Sequence, residues 1–217
     1  MTPFCVGLTG GIASGKTSAA KRFEELGAAV VDTDAIAHDL TRAGTAAMAK
    51  ISQAFGREYV TPDGSLDRAK MRRLVFRDRE AKAKLEAILH PMIRDQAHAQ
   101  IVAAQQPYVV VIVPLLFETG AYRDLIQRVL VIDCSEEEQI TRAMQRSGLE
   151  EREVRAIIAA QLPRAERLKR ADHVLDNSAG LEALRQQVDA AHLKFLALAK
   201  SAARDNERPL GPRGNVC

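Results

Sequence analysis

Tryptophan is missing altogether, and three Tyr and six Phe bring aromatic residues to only 4% of the 217-residue chain. So thin a supply of rings is a poor basis for a single-stranded nucleic-acid binder, which stacks successive bases on aromatic platforms. Cysteine is also sparse. Cys5, Cys134 and Cys217 are odd in number and far apart, which excludes a paired disulfide framework and a Cys-based zinc motif. No uninterrupted apolar run approaches the roughly 18 residues of a membrane span, and the first six residues lack the basic segment of a secretory leader. A cytoplasmic location with no membrane partner is the expectation. Net charge is scarce too: Lys+Arg 31 against Asp+Glu 28 leave +3, too little to argue for a polybasic nucleic-acid binder.

What is present is ordinary for a folded domain, with 47% hydrophobic and 27% charged residues. Short apolar runs of the buried-strand type recur at 4–9, 28–32, 108–113, 128–133 and 173–175. Val109, Val110, Val111, Ile112 and Val113 are all β-branched, which suits a central strand covered on both faces. Helical patterns lie between the runs, so the expected class is α/β with a five-stranded parallel sheet. Two stretches interrupt the alternation. Residues 34–104 form a helical insertion, broken by the turn signal Thr61-Pro62-Asp63-Gly64 and by His90-Pro91, where proline predicts a boundary or kink. Residues 139–170 continue a helix that Ser135 and Glu138 start as a capping box, and restart after Ser147-Gly148. Leu184, Val188, Ala191, Leu193 and Leu196 mark a closing amphipathic helix. The divisions are therefore a core of 1–33, 105–138 and 171–203, an insertion 34–104, a lid 139–170 and a loose tail 204–217.

Directly after the first apolar run stands Gly10-Gly11-Ile12-Ala13-Ser14-Gly15-Lys16-Thr17, the pattern of a phosphate-binding P-loop. Gly10 and Gly15 let consecutive N–H groups face one point, and the next helix adds the partial positive charge of its N-terminus. Lys16 reaches β and γ phosphate oxygens, and the Thr17 hydroxyl is placed to ligate Mg²⁺. ATP with Mg²⁺ is the implied ligand, although the motif alone admits GTP.

In a doubly wound sheet, chemistry gathers beyond the carboxyl ends of the strands. Asp32 and Asp34 end the second run and, by strand alternation, would share a face; an N-cap is the alternative for either. Beside a P-loop, Asp34 is the better candidate for the base that takes a hydroxyl proton. The third run leads into Pro114-Leu115-Leu116-Phe117-Glu118, with proline where GTPases and motor ATPases keep a metal-binding Asp. That points to a small-molecule kinase. Glu118 orients acceptor or metal-bound water, or caps the next helix. Among the arginines of 139–170, Arg142 and Arg146 share a helix face, with Arg164, Arg167 and Arg170 beyond the turn. A closing lid uses such a cation to stabilise a phosphoryl group in flight, and Arg142 is the first candidate.

Taken together, these residues resemble the dephospho-CoA kinase family. The resemblance rests on Val6 to Ile12 leading into Ser14-Gly15-Lys16-Thr17, on Val31-Asp32-Thr33-Asp34, and on Asp63-Gly64-Ser65-Leu66-Asp67-Arg68. It continues through Leu89-His90-Pro91, Val113 to Glu118, and Gln161 through Lys169-Arg170-Ala171-Asp172 to Asn177. It implies transfer of the ATP γ-phosphoryl to the ribose 3′-hydroxyl of dephospho-CoA, giving CoA and ADP. Asp34 matches the family's general base, Lys16 and Thr17 its phosphate and Mg²⁺ contacts, Arg142 its lid arginine, and Asn177 lies near its adenine site. Gly11 to Thr17 would hold nucleotide. Thr9, Asp34, Arg68, His90, Phe117 and Glu118 are the candidate acceptor contacts, and the insertion becomes the acceptor-binding domain. For His90, a helix end fixed by Pro91 is nearly as good a reading. Ala13 stands where many relatives carry Gly.

A kinase of another small hydroxyl acceptor, such as a nucleoside, nucleotide or shikimate-like acid, is the nearest rival. A P-loop switch or nucleic-acid-remodelling ATPase is disfavoured by Pro114 and the scarcity of rings. By region, the charge separates: residues 34–104 carry net +3, residues 139–170 net +4, and the remainder net −4. An acidic core under two basic flaps suits phosphate-bearing small substrates and not nucleic acid. The sequence sets no oligomeric state, and a monomer is compatible with it.

Overall fold

The structure is a computed structural model that describes residues 3–120 and 122–207, with side chains as far as 204. Its elements run β1 (Phe4–Gly10), α1 (Lys16–Glu25), β2 (Ala29–Asp32), α2 (Thr33–Leu40), α3 (Ala46–Phe55), α4 (Arg68–Arg77), α5 (Arg79–Ala103) and β3 (Tyr108–Ile112). Then follow α6 (Leu116–Thr119), β4 (Arg128–Asp133), α7 (Glu136–Ser147), α8 (Glu151–Ala159), α9 (Arg164–Lys169), β5 (His173–Asp176) and α10 (Leu181–Glu207). The five strands form one sheet in the order β2-β3-β1-β4-β5. Strand β1 pairs in parallel with both β3 and β4, and β4 with β5.

Every residue of β3 is buried, as expected for a β-branched strand covered on both faces. Its Tyr108, Val110 and Ile112 join Val6, Leu8, Leu130 and Ile132 in the main core, and α1 adds Ala19, Ala20 and Phe23. The apolar face of α10 is Leu184, Val188, Ala191, Phe195 and Ala199. Leu193, assigned to that face from its spacing, is 67% exposed, because a step of two from Ala191 carries a residue to the opposite side of a helix. Phe195, a step of four on, fills the place and stacks against Phe23 and Tyr108. The expected loose tail is also shortened, since α10 continues through Arg204 to Glu207, and the rest of 204–217 lies outside the described residues.

The chain divides into two compact units, one built from residues up to Val30 and from Ala104 onward, the other Val31–Ala103. The second unit has its own core of Met48, Ile51, Leu66 and Met71, with Leu74, Val75, Leu85, Ile88 and Leu89 packed on it. Pro91 does not end its helix: α5 runs 25 residues straight through it. Ile88 and Leu89 before the proline and Ile93, Ala97 and Ile101 after it are packed inward, while Pro91 itself faces solvent. Packing on both sides outweighs the lost hydrogen bond, because the carbonyl it would have used, that of exposed Ala87, can be met by water. His90 is thus an exposed mid-helix residue and not a helix end.

The predicted capping box is present. Ser135 Oγ accepts from the Glu138 N–H and Glu138 Oε2 accepts from the Ser135 N–H, each at 3.2 Å, with Gly148 closing α7 in the left-handed conformation.

Candidate active site

The loop between β1 and α1 carries the strongest chemistry. Gly15 sits before the helix at φ 107°, a conformation that favours glycine, and a Cβ there would overlap the Asn177 side-chain amide. At Gly10 a Cβ would collide with the Ile132 carbonyl of the neighbouring strand. Ala13 adopts φ 53°, the one positive φ of a non-glycine among the described residues. A left-handed Ala costs about 1 kcal/mol, a strain that Gly at this place would not carry. The Lys16 ammonium donates to the carbonyls of Gly10 at 2.9 Å and Gly11 at 2.8 Å, so it spans the start of the loop. Thr17 is exposed on the first turn of α1, beside it.

The loop is braced from the far end of the chain. Asn177, 8% exposed, donates its amide to the Ser14 carbonyl at 2.8 Å, and its own carbonyl accepts from Arg142 Nη2 at 2.8 Å. The same Arg142 nitrogen also pairs with Glu138. Gln161 accepts from the Ile12 N–H at 3.3 Å, and the fully buried Gln139 side chain abuts Gly11. Asp133, at the end of β4, binds Arg164 through both carboxylate oxygens at 2.6–3.1 Å, and this pairing raises the Arg164 pKa. Arg167, 5% exposed, is pushed the other way by burial. Burial likewise raises the Cys134 thiol, a core residue with no site role.

Beyond β3, the Thr9 hydroxyl donates to the Pro114 carbonyl at 3.1 Å and so ties the end of β1 to the turn that leads into α6. Thr9 is itself 1% exposed. Phe117 is half-buried on α6. Glu118 does not cap α6; its Oε1 accepts from the Leu162 N–H at 2.7 Å and fixes the segment that precedes α9.

In the second unit, Asp32 is the N-cap of α2, accepting from the N–H of Asp34 at 2.8 Å and of Ala35 at 3.2 Å. Asp34 therefore lies on the first helical turn, exposed, and strand alternation does not apply to it. Arg68 Nη2 donates to the His38 carbonyl at 3.1 Å and to Thr41 Oγ1 at 2.5 Å, linking α4 to the end of α2. His90 stands apart on α5.

Sequence reasoning had not singled out Asp133 or Gln139, and named Gln161 only as the first residue of the resemblance that runs to Asn177. An acid at the end of an apolar run was the signal available for Asp133; Gln139 carried none. Among the described residues no group of three or more His, Cys, Asp or Glu side chains is arranged to hold a metal, so a cation here would take most of its oxygens from phosphate and water.

A parallel sheet of this order, with a strand, glycine loop, lysine and helix at its centre, defines a P-loop phosphotransferase. The family model of dephospho-CoA kinase matches residues 4–183. A dephospho-CoA kinase of Nitrosospira multiformis is 56% identical over 197 residues, 91% of this chain and 98% of that one. One of Chromobacterium violaceum is 58% identical over 192 residues, covering 88% and 94%. The structure of dephospho-CoA kinase from Campylobacter jejuni superposes with a TM-score of 0.65 at 27% identity, over 91% of this chain and 98% of that one. The chain belongs to the dephospho-CoA kinase family: it is an ATP-dependent transferase that phosphorylates an alcohol on dephospho-CoA in coenzyme A biosynthesis.

Proposed function

We propose that the chain uses the Gly10 to Thr17 loop for the ATP phosphates, residues 34–104 for dephospho-CoA and residues 139–170 as a lid over the core of 1–33, 105–138 and 171–203. The observation that carries the nucleotide assignment is the loop itself, with Gly15 at φ 107° leading straight into α1 and Lys16 across its start. Backbone N–H groups and the N-terminus of α1 hold the polyphosphate, and Lys16 turns from loop carbonyls to β and γ oxygens. The Thr17 hydroxyl is a hard, exposed oxygen donor on the first turn, which fits Mg²⁺, an ion that keeps waters and phosphate oxygens as its other ligands. When bound, Mg²⁺ neutralises charge on the β and γ phosphates.

Asp34 accepts the proton of the ribose 3′-hydroxyl as that oxygen bonds to the γ phosphorus. The bond from phosphorus to the β,γ-bridging oxygen breaks and its electrons leave with ADP. Asp32 supports this role by pinning the first turn of α2 through two backbone N–H groups. Arg142, held by Glu138 and Asn177, supplies the lid cation that stabilises the phosphoryl group in transfer, and Asn177 serves the adenine side. Arg68 and His90 in residues 34–104, and Thr9, Phe117 and Glu118 in the core, are the acceptor contacts of this reading.

Phosphorus NMR after incubation with ATP and Mg²⁺ tests the acceptor on a panel of dephospho-CoA, adenosine, AMP and shikimate. A new 3′-phosphomonoester on dephospho-CoA alone is expected. Phosphorylation of another acceptor at comparable kcat/KM contradicts the assignment.

A further inference from the structure

Strand β5 ends the sheet order, so β4 is its one strand neighbour among the described residues. Successive residues of a strand send their backbone groups to opposite sides, and an open edge leaves every second N–H and C=O without a ladder partner. Asn177, just past β5, turns its N–H inward to the Asp133 carbonyl at 2.8 Å, so Asp176 before it faces the open side. The side chain of Gln187 meets it there. Gln187 Oε1 accepts from the Asp176 N–H at 2.9 Å, and Gln187 Nε2 donates to the Asp176 carbonyl at 2.7 Å. Nε2 also donates to the Ala183 carbonyl at 3.2 Å, so the acceptor and both donors of this amide are engaged. One primary amide does for Asp176 what a neighbouring strand would do.

The surroundings give this clamp a direction. Gln187 stands on α10 between Leu184 and Val188, both fully buried in the main core, and two residues on, Asp189 pairs with Arg22 of α1 at 2.7 Å. Its backbone is therefore a fixed frame. By contrast β5 is four residues long, and the end of so short an edge strand frays readily unless it is held. Asp176 is gripped a second time through its carboxylate, which accepts from the Ser178 N–H at 2.9 Å and from the Ser178 hydroxyl at 2.7 Å. Between these two residues stands Asn177, 8% exposed, whose amide donates to the Ser14 carbonyl in the phosphate loop.

We infer that Gln187 is a positioning residue for the phosphate loop: by clamping the backbone of Asp176 from α10, it sets where Asn177 presents its amide to Ser14. The Gln187 amide is spent on Asp176 and Ala183, so it acts through Asn177 and not on substrate. The inference rests on the loop being the nucleotide site, and it ties nucleotide affinity to a side chain outside the loop, the insertion and the lid.

The test is calorimetric titration of the full chain with ADP and with dephospho-CoA, together with steady-state kinetics. Gln187→Met keeps side-chain length and helix preference and removes both bonds to Asp176. It is expected to weaken ADP about fivefold and to raise KM for ATP by a similar factor, while dephospho-CoA affinity and KM stay within about twofold of wild type. Gln187→Asn is too short to reach Asp176, loses the same bonds and stays polar. It should give the same split, and it decides the matter if the methionine variant fails to fold or self-associates through the uncovered edge. A double variant, Asn177→Ala with Gln187→Met, separates positioning from general stabilisation. It should bind ADP within about twofold of Asn177→Ala alone, because the route from Gln187 to the loop is already cut. Unchanged ADP affinity in both single variants, an equal loss for dephospho-CoA, or losses that multiply in the double variant would each overturn the inference. A wild type that binds no ADP would instead overturn the loop assignment beneath it.

Discussion

Asn177 donates to the carbonyl of Ser14 at 2.8 Å across 163 residues of sequence, so the segment after β5 holds the middle of the phosphate loop. The bond is buried, and Asn177 is anchored in turn by its own N–H to the Asp133 carbonyl at 2.8 Å.

Asn177→Ala removes the donor and leaves the Ser14 carbonyl buried and unpaired. Such a group costs about 1–3 kcal/mol. Tm should therefore fall by several degrees, and the affinity for ADP should fall with it because the loop loses its brace. Calorimetry and thermal unfolding check both; unchanged ADP affinity would show that the loop keeps its shape unaided.

A second buried contact makes stability depend on pH. The Tyr108 hydroxyl and His192 Nδ1 lie 2.8 Å apart, with Tyr108 fully buried and His192 nearly so. Burial depresses the His192 pKa, against a smaller opposing effect of Asp189, and the neutral ring shares a hydrogen bond with the Tyr108 hydroxyl whose direction follows the tautomer. Burial also depresses His173. A histidine whose folded pKa lies below its unfolded value of about 6.5 contributes stability above that pH and loses it as pH falls through the folded pKa. Tm should be level at neutral pH and above, and drop as the solution is taken below about pH 6.5. His192→Gln should lower Tm at neutral pH and flatten the acid slope, with His173 responsible for what remains. An unaltered slope in the variant removes His192 as a source.

The loop from Gly10 to Thr17 was legible in the sequence because its chemistry is local: each residue acts through the backbone and helix beside it. The sheet was legible for a related reason, since a β-branched run such as Val109 to Val113 suits few other environments. Gln161 and Gln139 were not legible as partners of that loop. Their significance arises from contacts with Ile12 and Gly11, made over more than a hundred residues of chain. Pro91 and Leu193 mark the opposite failure, where a sound local rule lost to packing. A proline between two inward-facing apolar stretches stays in its helix, and Phe195 takes the position that a looser periodicity assigned to Leu193. Asp34 moved from a strand face to a helix turn because Asp32 caps α2 two residues earlier.

The central claim is that Asp34 takes the acceptor proton, and single-turnover phosphorylation of dephospho-CoA by Asp34→Asn measures it most directly. The isosteric amide keeps size and helix position but cannot accept that proton. The account predicts ADP and ATP-analogue affinities within about twofold of wild type, and a phosphoryl-transfer rate reduced by about 10²-fold or more. Transfer at a rate comparable to wild type would contradict it.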